Sequence, residues 1–537
     1  MHLKITTSRQ GGKIYRYASI VQGYRNGKYV SQKLVKSLGP INSESDEEKY
    51  RNIIKGIKSG EEVVTLKEIN EQVMEFGVML IVESIWNNLE IKPLITPSKV
   101  TYNLSQLICM LITHRLHNYG SENLSEREAV RWINEECYGN QGIELHQVYR
   151  GLKIFLGKKE GIEKHLYNKL HKNNEIIFYD LTSSYLEGDY DNSEIVNYGY
   201  NRDKKRGKKQ IVLGLLLSDN LPLAHKVWEG KTTDKSTLKE AVSQAQNLGI
   251  TKFIFVADRG LITQGNLEWL ENEKLEYIVA TKRRKETLIK ELMGKQLGKG
   301  EEVKKVHEEK AGKDNIRRYY LCFNEKVHKQ KLEDLEKLKD KLIAKIKKIK
   351  VPTEHKVLSA LGKAKRLFTL SFKNGFKYSI NKANYEYEKQ IAGRYILVTN
   401  NGSLSKKEIL KTYKQLMEIE RCFRQLKHFE DMRPIFHKSD KGIRAHVFIA
   451  VLALLIEKII NKKIPEMTTR EIITEMKKLK LSKVKELFVR TEITNIQKKI
   501  LRGLNVEEPA KIIFTQSVGN KNFLSRRQNF TSVQNEF

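Results

Sequence analysis

The sequence has little cysteine and no long apolar run, and both shortages narrow the classes of protein it can be. Only four of its 537 residues are cysteines, and they are widely separated: Cys109, Cys137, Cys322 and Cys422. This spacing suggests neither a zinc site nor a disulfide framework, and it fits a reducing compartment. The longest apolar run, Val447 to Ile456, is too short to cross a bilayer. The first residues lack the apolar stretch of a signal peptide, so we expect a soluble cytoplasmic protein without a membrane partner.

Acidic residues are too few to balance the basic ones. The chain has 98 Lys and Arg against 65 Asp and Glu, which gives a formal net charge of +33 at pH 7. Because the excess is spread along the chain, it favours a polyanionic partner, nucleic acid first, over a membrane surface. Apolar residues make up 39% of the chain, enough for substantial cores, and the length predicts about two to four domains.

Shifts in composition and periodicity predict several segments along the chain. They are an N-terminal β unit at 1–42, a helical region at 48–170 that is a candidate for DNA binding, an α/β core at 174–282 and 393–460, an insertion at 283–392, a C-terminal helical region at 461–516 and a flexible tail at 517–537. Alternating stretches around Arg25-Asn26-Gly27 predict a β-hairpin in the first segment, and an acidic linker at 43–48 follows it. The helical region suits helix-turn-helix contacts with DNA and packing without a groove-binding role equally well.

The stretch from 176 to 280 has the pattern of a mixed α/β fold. Three strands, at 176–187, 209–217 and 222–228, precede helix, strand, helix and strand. This order predicts a mixed sheet flanked by helices, and a last strand at 394–399 joins it after an α+β insertion. Ligand sites in such sheets lie at the carboxyl ends of strands, and Asp258 falls at such an end.

Residues Tyr413 to Lys427 predict one uninterrupted α-helix, because they contain no Gly or Pro and their apolar residues recur at helical spacing. On a helical wheel, Tyr413, Glu420, Arg424 and Lys427 share one face. A carboxylate beside two cations can hold a metal ion while the cations hold a phosphate. The same spacing also suits an ordinary salt-bridged surface, because Glu and Arg four residues apart stabilise a helix.

Three acidic residues occupy positions from which they can act together: Asp180 in the first strand, Asp258 after a central strand, and Glu420 on this helix. Carboxylates from strands and a helix suit two divalent cations, and two such ions suit in-line attack on a phosphodiester. An Asp in an apolar strand is costly to bury unless it is paired or metal-bound, which favours a function for Asp180. Asp258 can also belong to a simple turn.

These residues lie in longer motifs that resemble the DDE transposases of bacterial insertion sequences, specifically the insertion-sequence-four type. The motifs are Tyr179-Asp180-Leu-Thr-Ser, Gly199-Tyr200-Asn-Arg-Asp203, Trp228-Glu-Gly230-Lys-Thr-Thr-Asp234, Val256-Ala-Asp258-Arg-Gly260 and Ile419-Glu420-Arg-Cys-Phe-Arg-Gln-Leu-Lys427. The last helix matches the family's Tyr-x2-Arg-x3-Glu-x6-Lys signature at Tyr413, Glu420 and Lys427. It departs at Leu416, where the family has Arg, and Arg424 is the candidate to supply that cation.

The resemblance implies an RNase H-like core in which Asp180, Asp258 and Glu420 bind two Mg²⁺ ions, with Mn²⁺ as a substitute. It implies that Tyr413 and Lys427, with Arg424 as the substitute cation, contact DNA. The implied reaction is hydrolysis at an element's terminal repeats and transfer of the freed 3′ ends into target DNA. The implied assembly is a homodimer on double-stranded DNA at the bacterial nucleoid. Two alternatives stay open: a catalytically inactive DNA-binding derivative, and an RNase H-like nuclease that does not join strands.

Overall fold

The computed structural model describes residues 2–10, 13–26, 29–58, 69–95, 100–119, 125–139, 142–170, 176–200, 207–281, 287–298, 302–311, 315–373, 375–428, 435–484 and 487–514. The predicted tail at 517–537, Gly27 of the predicted turn and residues 201–203 of one motif lie outside these ranges. The chain divides into two compact units. The first comprises the described residues of 2–74, 480–492 and 509–514, and the second comprises those of 75–479 and 493–508.

The first unit begins with a three-stranded antiparallel sheet, one strand more than the predicted hairpin. Its strands, in the order β1-β2-β3, are β1 (His2–Gln10), β2 (Lys13–Asn26) and β3 (Tyr29–Pro40). Helix α1 (Glu44–Lys58) packs on one face of this sheet. Ala18, Ile20 and Ile54 are buried there, so the helix supplies the apolar cover that a single small sheet needs.

The segment predicted to be an acidic linker is instead the first turn of α1. Glu44, Asp46 and Glu47 lie in that turn, where the partial positive charge of a helix N-terminus stabilises carboxylates. The Asp46 carboxylate accepts hydrogen bonds from the backbone N–H groups of Asn42 and Ser43. The linker prediction was wrong because a run of acidic residues is also a helix start signal.

The C-terminal region, predicted to be helical, is mixed. Helices α17 (Thr469–Met476) and α18 (Asn495–Gly503) belong to the second unit. Strands β15 (Lys480–Val484), β16 (Leu487–Arg490) and β17 (Ile512–Phe514) join β4 (Ile69–Glu75) in a sheet ordered β17-β16-β15-β4. Strands of three to five residues are too short to show a periodicity of their own, so the sequence pattern missed them.

In the described part of the chain, the second unit opens with six helices, some of which pack against one long apolar helix. They are α2 (Gly77–Asn88), α3 (Lys92–Ile95), α4 (Leu104–His117), α5 (Glu126–Glu135), α6 (Leu145–Leu156) and α7 (Lys159–Leu170). Helix α16 (Asp440–Lys463) packs against α4 and α6. It contains the longest apolar run of the sequence, which is buried. None of the described helices is both long enough and apolar enough to cross a membrane.

An eight-stranded mixed sheet forms the centre of the second unit. Its strands are β5 (Ile176–Tyr185), β6 (Gln210–Ser218), β7 (Leu221–Glu229), β8 (Ile254–Ala257), β9 (Glu276–Ala280), β10 (Val303–Ala311), β11 (Asn315–Phe323) and β14 (Arg394–Thr399), in the order β10-β11-β14-β9-β8-β5-β6-β7. β5, β8 and β9 run parallel, and β6 and β7 form an antiparallel meander with β5. The predicted fold class, a mixed α/β sheet flanked by helices, is confirmed.

Helices cover both faces of this sheet. One apolar cluster joins alternate strand residues such as Tyr179 and Phe255 to helices α8 (Leu238–Asn247), α9 (Gln264–Asn272) and α10 (Thr287–Gly294). The other cluster joins Phe178 and Val256 to helices α14 (Lys406–Lys414), α15 (Leu416–His428) and α16. The strand residues therefore follow the alternation expected of a sheet that is buried on both faces.

Part of the predicted insertion lies within the central sheet. Strands β10 and β11 extend the sheet beyond β14. The remainder has its own small apolar cluster, built around Leu342, Val357 and Phe368. It consists of α11 (Glu325–Lys347), α12 (Glu354–Leu361), β12 (Phe368–Ser371), β13 (Lys377–Ile380) and α13 (Lys382–Ile391).

Candidate active site

Two of the predicted site residues, Asp180 and Asp258, lie side by side on parallel strands. Tyr179 of β5 pairs with Ala257 of β8, so each Asp occupies the next position of its chain. Adjacent strands are about 5 Å apart, which makes the two residues direct neighbours. Both are half-buried. Asp258 lies at the carboxyl end of β8, where the sequence pattern placed it.

Asp258 accepts a hydrogen bond from the Tyr413 hydroxyl, with Oη and Oδ1 3.2 Å apart. Burial, reinforced by the negative charge of Asp258, raises the pKa of Tyr413 far above its usual range. The phenol therefore stays protonated and keeps donating at any physiological pH. Tyr413 belongs to α14 and packs against the apolar cluster on the sheet face that α14 and α15 cover. Its hydrogen bond therefore places Asp258 on that face.

The helix predicted to run uninterrupted from Tyr413 to Lys427 is interrupted at Gln415. Helix α14 begins at a capping box, in which the Ser405 side chain and the Glu408 side chain each bond the other's backbone N–H. It ends at Lys414, and α15 starts at Leu416. The Glu418 N–H bonds the Gln415 carbonyl, which tightens the chain at the junction. Tyr413 and Glu420 are thus on successive helices, which pack separately on the sheet.

Helix α15 presents Glu420 and Arg424 to solvent and packs against β5 with its opposite side. The buried side contains Leu416, Ile419, Cys422, Phe423 and Leu426. The ion pair of the described part of α15 joins Glu418 to Arg421 rather than Glu420 to Arg424. Glu420 therefore does not form the ordinary surface salt bridge with Arg424 that its spacing also suited. Lys427 is half-buried.

The structure brings two of the three acids together and places the third on a helix above the same sheet face. Among the described residues, the group of carboxylate and imidazole atoms that lie within 4.8 Å of one another is Glu126, His437 and His446. Asp180, Asp258 and Glu420 do not form such a closed group. Like charges repel without a cation between them. Half-buried and exposed carboxylate oxygens are nevertheless the ligands that hard divalent cations prefer, so this donor set fits such ions.

Asp234 is a fourth acid near this edge of the sheet, and sequence reasoning gave it no role in the acidic site. A Cβ atom on Gly260 would lie 3.2 Å from Asp234 Oδ2. The carboxylate therefore lies close to the loop that follows Asp258. The available signal was its position at the end of the Gly230-Lys-Thr-Thr-Asp234 motif.

The group of Glu126, His437 and His446 is a buried network that the sequence pattern missed. Glu126 Oε1 lies 2.9 Å from His437 Nε2 and 3.0 Å from His446 Nδ1. Burial alone would raise the pKa of Glu126, but the close approach of both histidines outweighs it and holds the pKa well below its usual range. Arg115 Nη2 lies 3.7 Å from Glu126 Oε1 and 3.1 Å from His446 Nδ1. The guanidinium supplies the positive charge that a buried carboxylate needs, so the network joins α4 and α5 to α16.

Comparison with known families agrees with the arrangement of these elements. The transposase DDE domain matches residues 172–456, more than half of the chain and the whole stretch that carries Asp180, Asp258 and Glu420. The chain belongs to the DDE transposase family. Residues 3–67 of the transposase match the IS1634 family transposase N-terminal domain. The expected insertion-sequence DDE transposase is thus confirmed, whereas the insertion-sequence-four subtype is not.

Other comparisons add little to this assignment. Among solved structures, the transposase is similar to a chain of the "Cryo-EM structure of piggyBac transposase synaptic complex with hairpin DNA", with 9% identity, a TM-score of 0.35, and coverage of 75% of this chain and 78% of that chain. No curated protein matches the sequence. The transposase is therefore assigned by its domain matches: it is an enzyme that acts on DNA, and DDE domains generally use divalent metal ions.

Proposed function

We propose that the transposase cuts DNA at the terminal repeats of an insertion sequence and transfers the freed ends into target DNA, with Asp180, Asp258 and Glu420 as its metal ligands. The observation that carries this proposal is the parallel pairing of β5 and β8, which makes Asp180 and Asp258 neighbours. Helix α15 packs against β5 and carries Glu420. Two strands supply Asp180 and Asp258 at one edge of the sheet, and we propose that Glu420, on the helix that packs against β5, completes their ligand set when the ions bind.

Two Mg²⁺ ions are the favoured occupants, and Mn²⁺ is a substitute, because the donor set consists of carboxylate oxygens. When bound, such ions activate the attacking oxygen and stabilise the leaving one. The chain's own residues prepare this site. Tyr413 orients Asp258 through its hydrogen bond, and the buried side of α15 fixes the direction in which Glu420 projects.

Arg424 and Lys427 are proposed to contact DNA phosphates beside the acids. Arg424 is exposed on the same helix as Glu420, one turn further on, and guanidinium groups bind phosphate oxygens in pairs. Tyr413 was also predicted to contact DNA, but its hydroxyl already donates to Asp258. For that residue we favour the positioning role. We propose a homodimer, because two element ends must be held together.

The test uses purified transposase and a plasmid that carries the DNA flanking its own reading frame. Cutting at the flanks is expected with Mg²⁺ and not with EDTA, and it should be lost in Glu420→Gln while DNA binding is kept. The matched control is Glu418→Gln. It removes the same charge two residues away from Glu420, at an acid that pairs with Arg421. That variant should cut normally. Equal loss in both variants would show that α15 tolerates no change and that the ligand assignment is unsupported.

Two other outcomes identify other functions. Binding to the flanks without any cutting by the unmodified protein would indicate a catalytically inactive DNA-binding derivative. Cutting without joining, when a target plasmid is supplied, would indicate a nuclease that does not transfer strands. Unchanged cutting by Glu420→Gln would mean that the third ligand has been misassigned.

A further inference from the structure

The N-terminal sheet has a charge composition unlike the rest of the chain. Residues 1–43 contain eight Lys and Arg and no Asp or Glu. At the chain's average of 65 acids in 537 residues, about five acids would fall in a segment of this length. Arg16 is neutralised by Glu47 of helix α1. In the described part of the chain, no ion pair involves Arg25 or Lys33, and both side chains are exposed.

Strands β2 and β3 extend past the end of β1 as a two-stranded ribbon. The first described residue of β1, His2, pairs with Val21. Residues 22–26 of β2 pair with residues 29–33 of β3, and among the described residues this part of the ribbon has no third strand. Five residues at about 3.4 Å each give it a length of about 17 Å. Helix α1 covers Ala18 and Ile20 near the base. The described side chains of residues 22–26 and 29–33 are exposed, except for Ser31, which is half-buried.

The described side chains of this ribbon combine exposed rings, exposed aliphatic groups and cations. Tyr24 is 50% exposed, Tyr29 is 79% exposed and Val30 is 72% exposed. In the register of the two strands, Arg25 lies opposite Val30. Large exposed apolar groups that occur together mark an interaction surface. Cations among them, with no acid in the segment, select an anionic partner.

We propose that the β2–β3 ribbon, residues 22–26 and 29–33, enters the major groove of duplex DNA. The major groove admits a two-stranded ribbon, and β-ribbons bind DNA in this way in other folds. Arg25 and Lys33 would contact phosphates, and Tyr24 and Tyr29 would contact base edges and sugars. A second copy of the same surface is a poorer partner, because it would bring cations against cations. The choice of DNA as the ligand rests on the proposed function. The β2–β3 ribbon, however, contains none of the residues of the acidic site.

Binding of the full chain to a labelled 30-base-pair duplex in EDTA, followed by fluorescence anisotropy, tests this proposal without any cutting. Arg25→Glu should weaken binding about tenfold or more and reduce the salt dependence, because a phosphate contact is lost. Tyr29→Ala should weaken binding but leave the salt dependence unchanged. The matched control is Lys55→Glu, an exposed position on α1 in the same unit with the same change of charge. It should change the affinity less than about twofold.

Three results would overturn the proposal. If Arg25→Glu and Lys55→Glu weaken binding equally, the effect is one of general charge and the ribbon makes no specific contact. If a 30-nucleotide single strand binds more tightly than the duplex and Tyr29→Ala abolishes that binding, the rings bind unpaired bases. If Arg25→Glu leaves DNA affinity unchanged but alters the mass of the protein in solution, the ribbon joins two copies of the chain. None of these results bears on the acids, which the cutting assay tests separately.

Discussion

Removing the charge of Glu126 should destabilise the second unit more than any surface substitution on the same helix. The side chains of Glu126 and Arg115 are 4% and 5% exposed, so a neutral residue at 126 leaves a buried guanidinium without its counterion. Breaking a buried pair by removing one partner costs about 3–5 kcal/mol. Gln keeps an acceptor oxygen for one histidine. We therefore expect Glu126→Gln to lower the free energy of unfolding by about 3 kcal/mol, the lower end of that range.

The measurement is urea unfolding followed by tryptophan fluorescence, since Trp132 lies on the same helix as Glu126 and is buried. The matched control is Glu128→Gln on the same helix, where the exposed carboxylate pairs with Arg131. Exposed pairs contribute about 0–1 kcal/mol, so its unfolding midpoint should barely move. A double variant that adds Arg115→Met to Glu126→Gln should recover part of the loss, because no buried charge is then left unpaired.

The stability that the double variant regains over Glu126→Gln shows whether Arg115 is the counterion of Glu126. Coupled partners give a coupling energy of about 0.5–3 kcal/mol, and we expect about 2 kcal/mol or more for this buried pair. Strictly additive losses from Glu126→Gln and Arg115→Met would refute the reasoning. So would a Glu126→Gln variant as stable as the Glu128→Gln control, because the carboxylate would then not be needed in the network.

Three other perturbations test separate parts of the structure. Tyr413→Phe removes the hydrogen bond to Asp258, which should lower the cutting rate or raise the Mg²⁺ requirement by about 5- to 30-fold, for a loss of about 1–2 kcal/mol. The measurement is the cutting rate as a function of Mg²⁺ concentration, and an unchanged curve would contradict the positioning role. Burial lowers the pKa of His225 to about 4, so its contribution to stability is complete above the unfolded pKa of about 6.5 and is lost as the pH falls towards 4. Urea midpoints should therefore fall over that range, by less in His225→Gln, and a midpoint independent of pH would contradict this. Gly230→Ala would place a Cβ atom 2.0 Å from the Gln210 carbonyl oxygen and should prevent accumulation of folded protein. A normal yield and an unchanged melting temperature would show that β6 and the end of β7 can move apart to accept the methyl group.

Local patterns in the sequence were sufficient for the central strands and for the acids on them. Asp180 and Asp258 could be located because each interrupts or follows an apolar run, and runs of this kind are a local property. The parallel pairing of β5 and β8 that makes them neighbours is a contact between distant segments, and local patterns do not specify it. The Ser125 cap of α5 is a local feature of the same kind, because Ser followed three residues later by Glu is a helix start signal.

Features that depend on contacts between distant residues could not be predicted in this way. The interruption at Gln415 has no Gly or Pro to signal it, and it arises because α14 and α15 pack on different parts of the sheet. Glu126 and His446 meet across more than three hundred residues. Strands β10 and β11 were assigned to an insertion because nothing within them indicates that β14, some seventy residues later, is their neighbour. The domain divisions proposed from composition remain predictions.

The most direct test of the proposed site is to count Mn²⁺ ions bound to the transposase on its end DNA by electron paramagnetic resonance titration. The unmodified protein, Asp180→Asn, Asp258→Asn and Glu420→Gln would be compared with Glu418→Gln as control. We expect up to two tightly bound ions per chain in the unmodified protein and in the control. Each of the three site variants should lose tight binding of at least one ion. Undiminished Mn²⁺ binding in all three variants would contradict the assignment of these acids as the metal site.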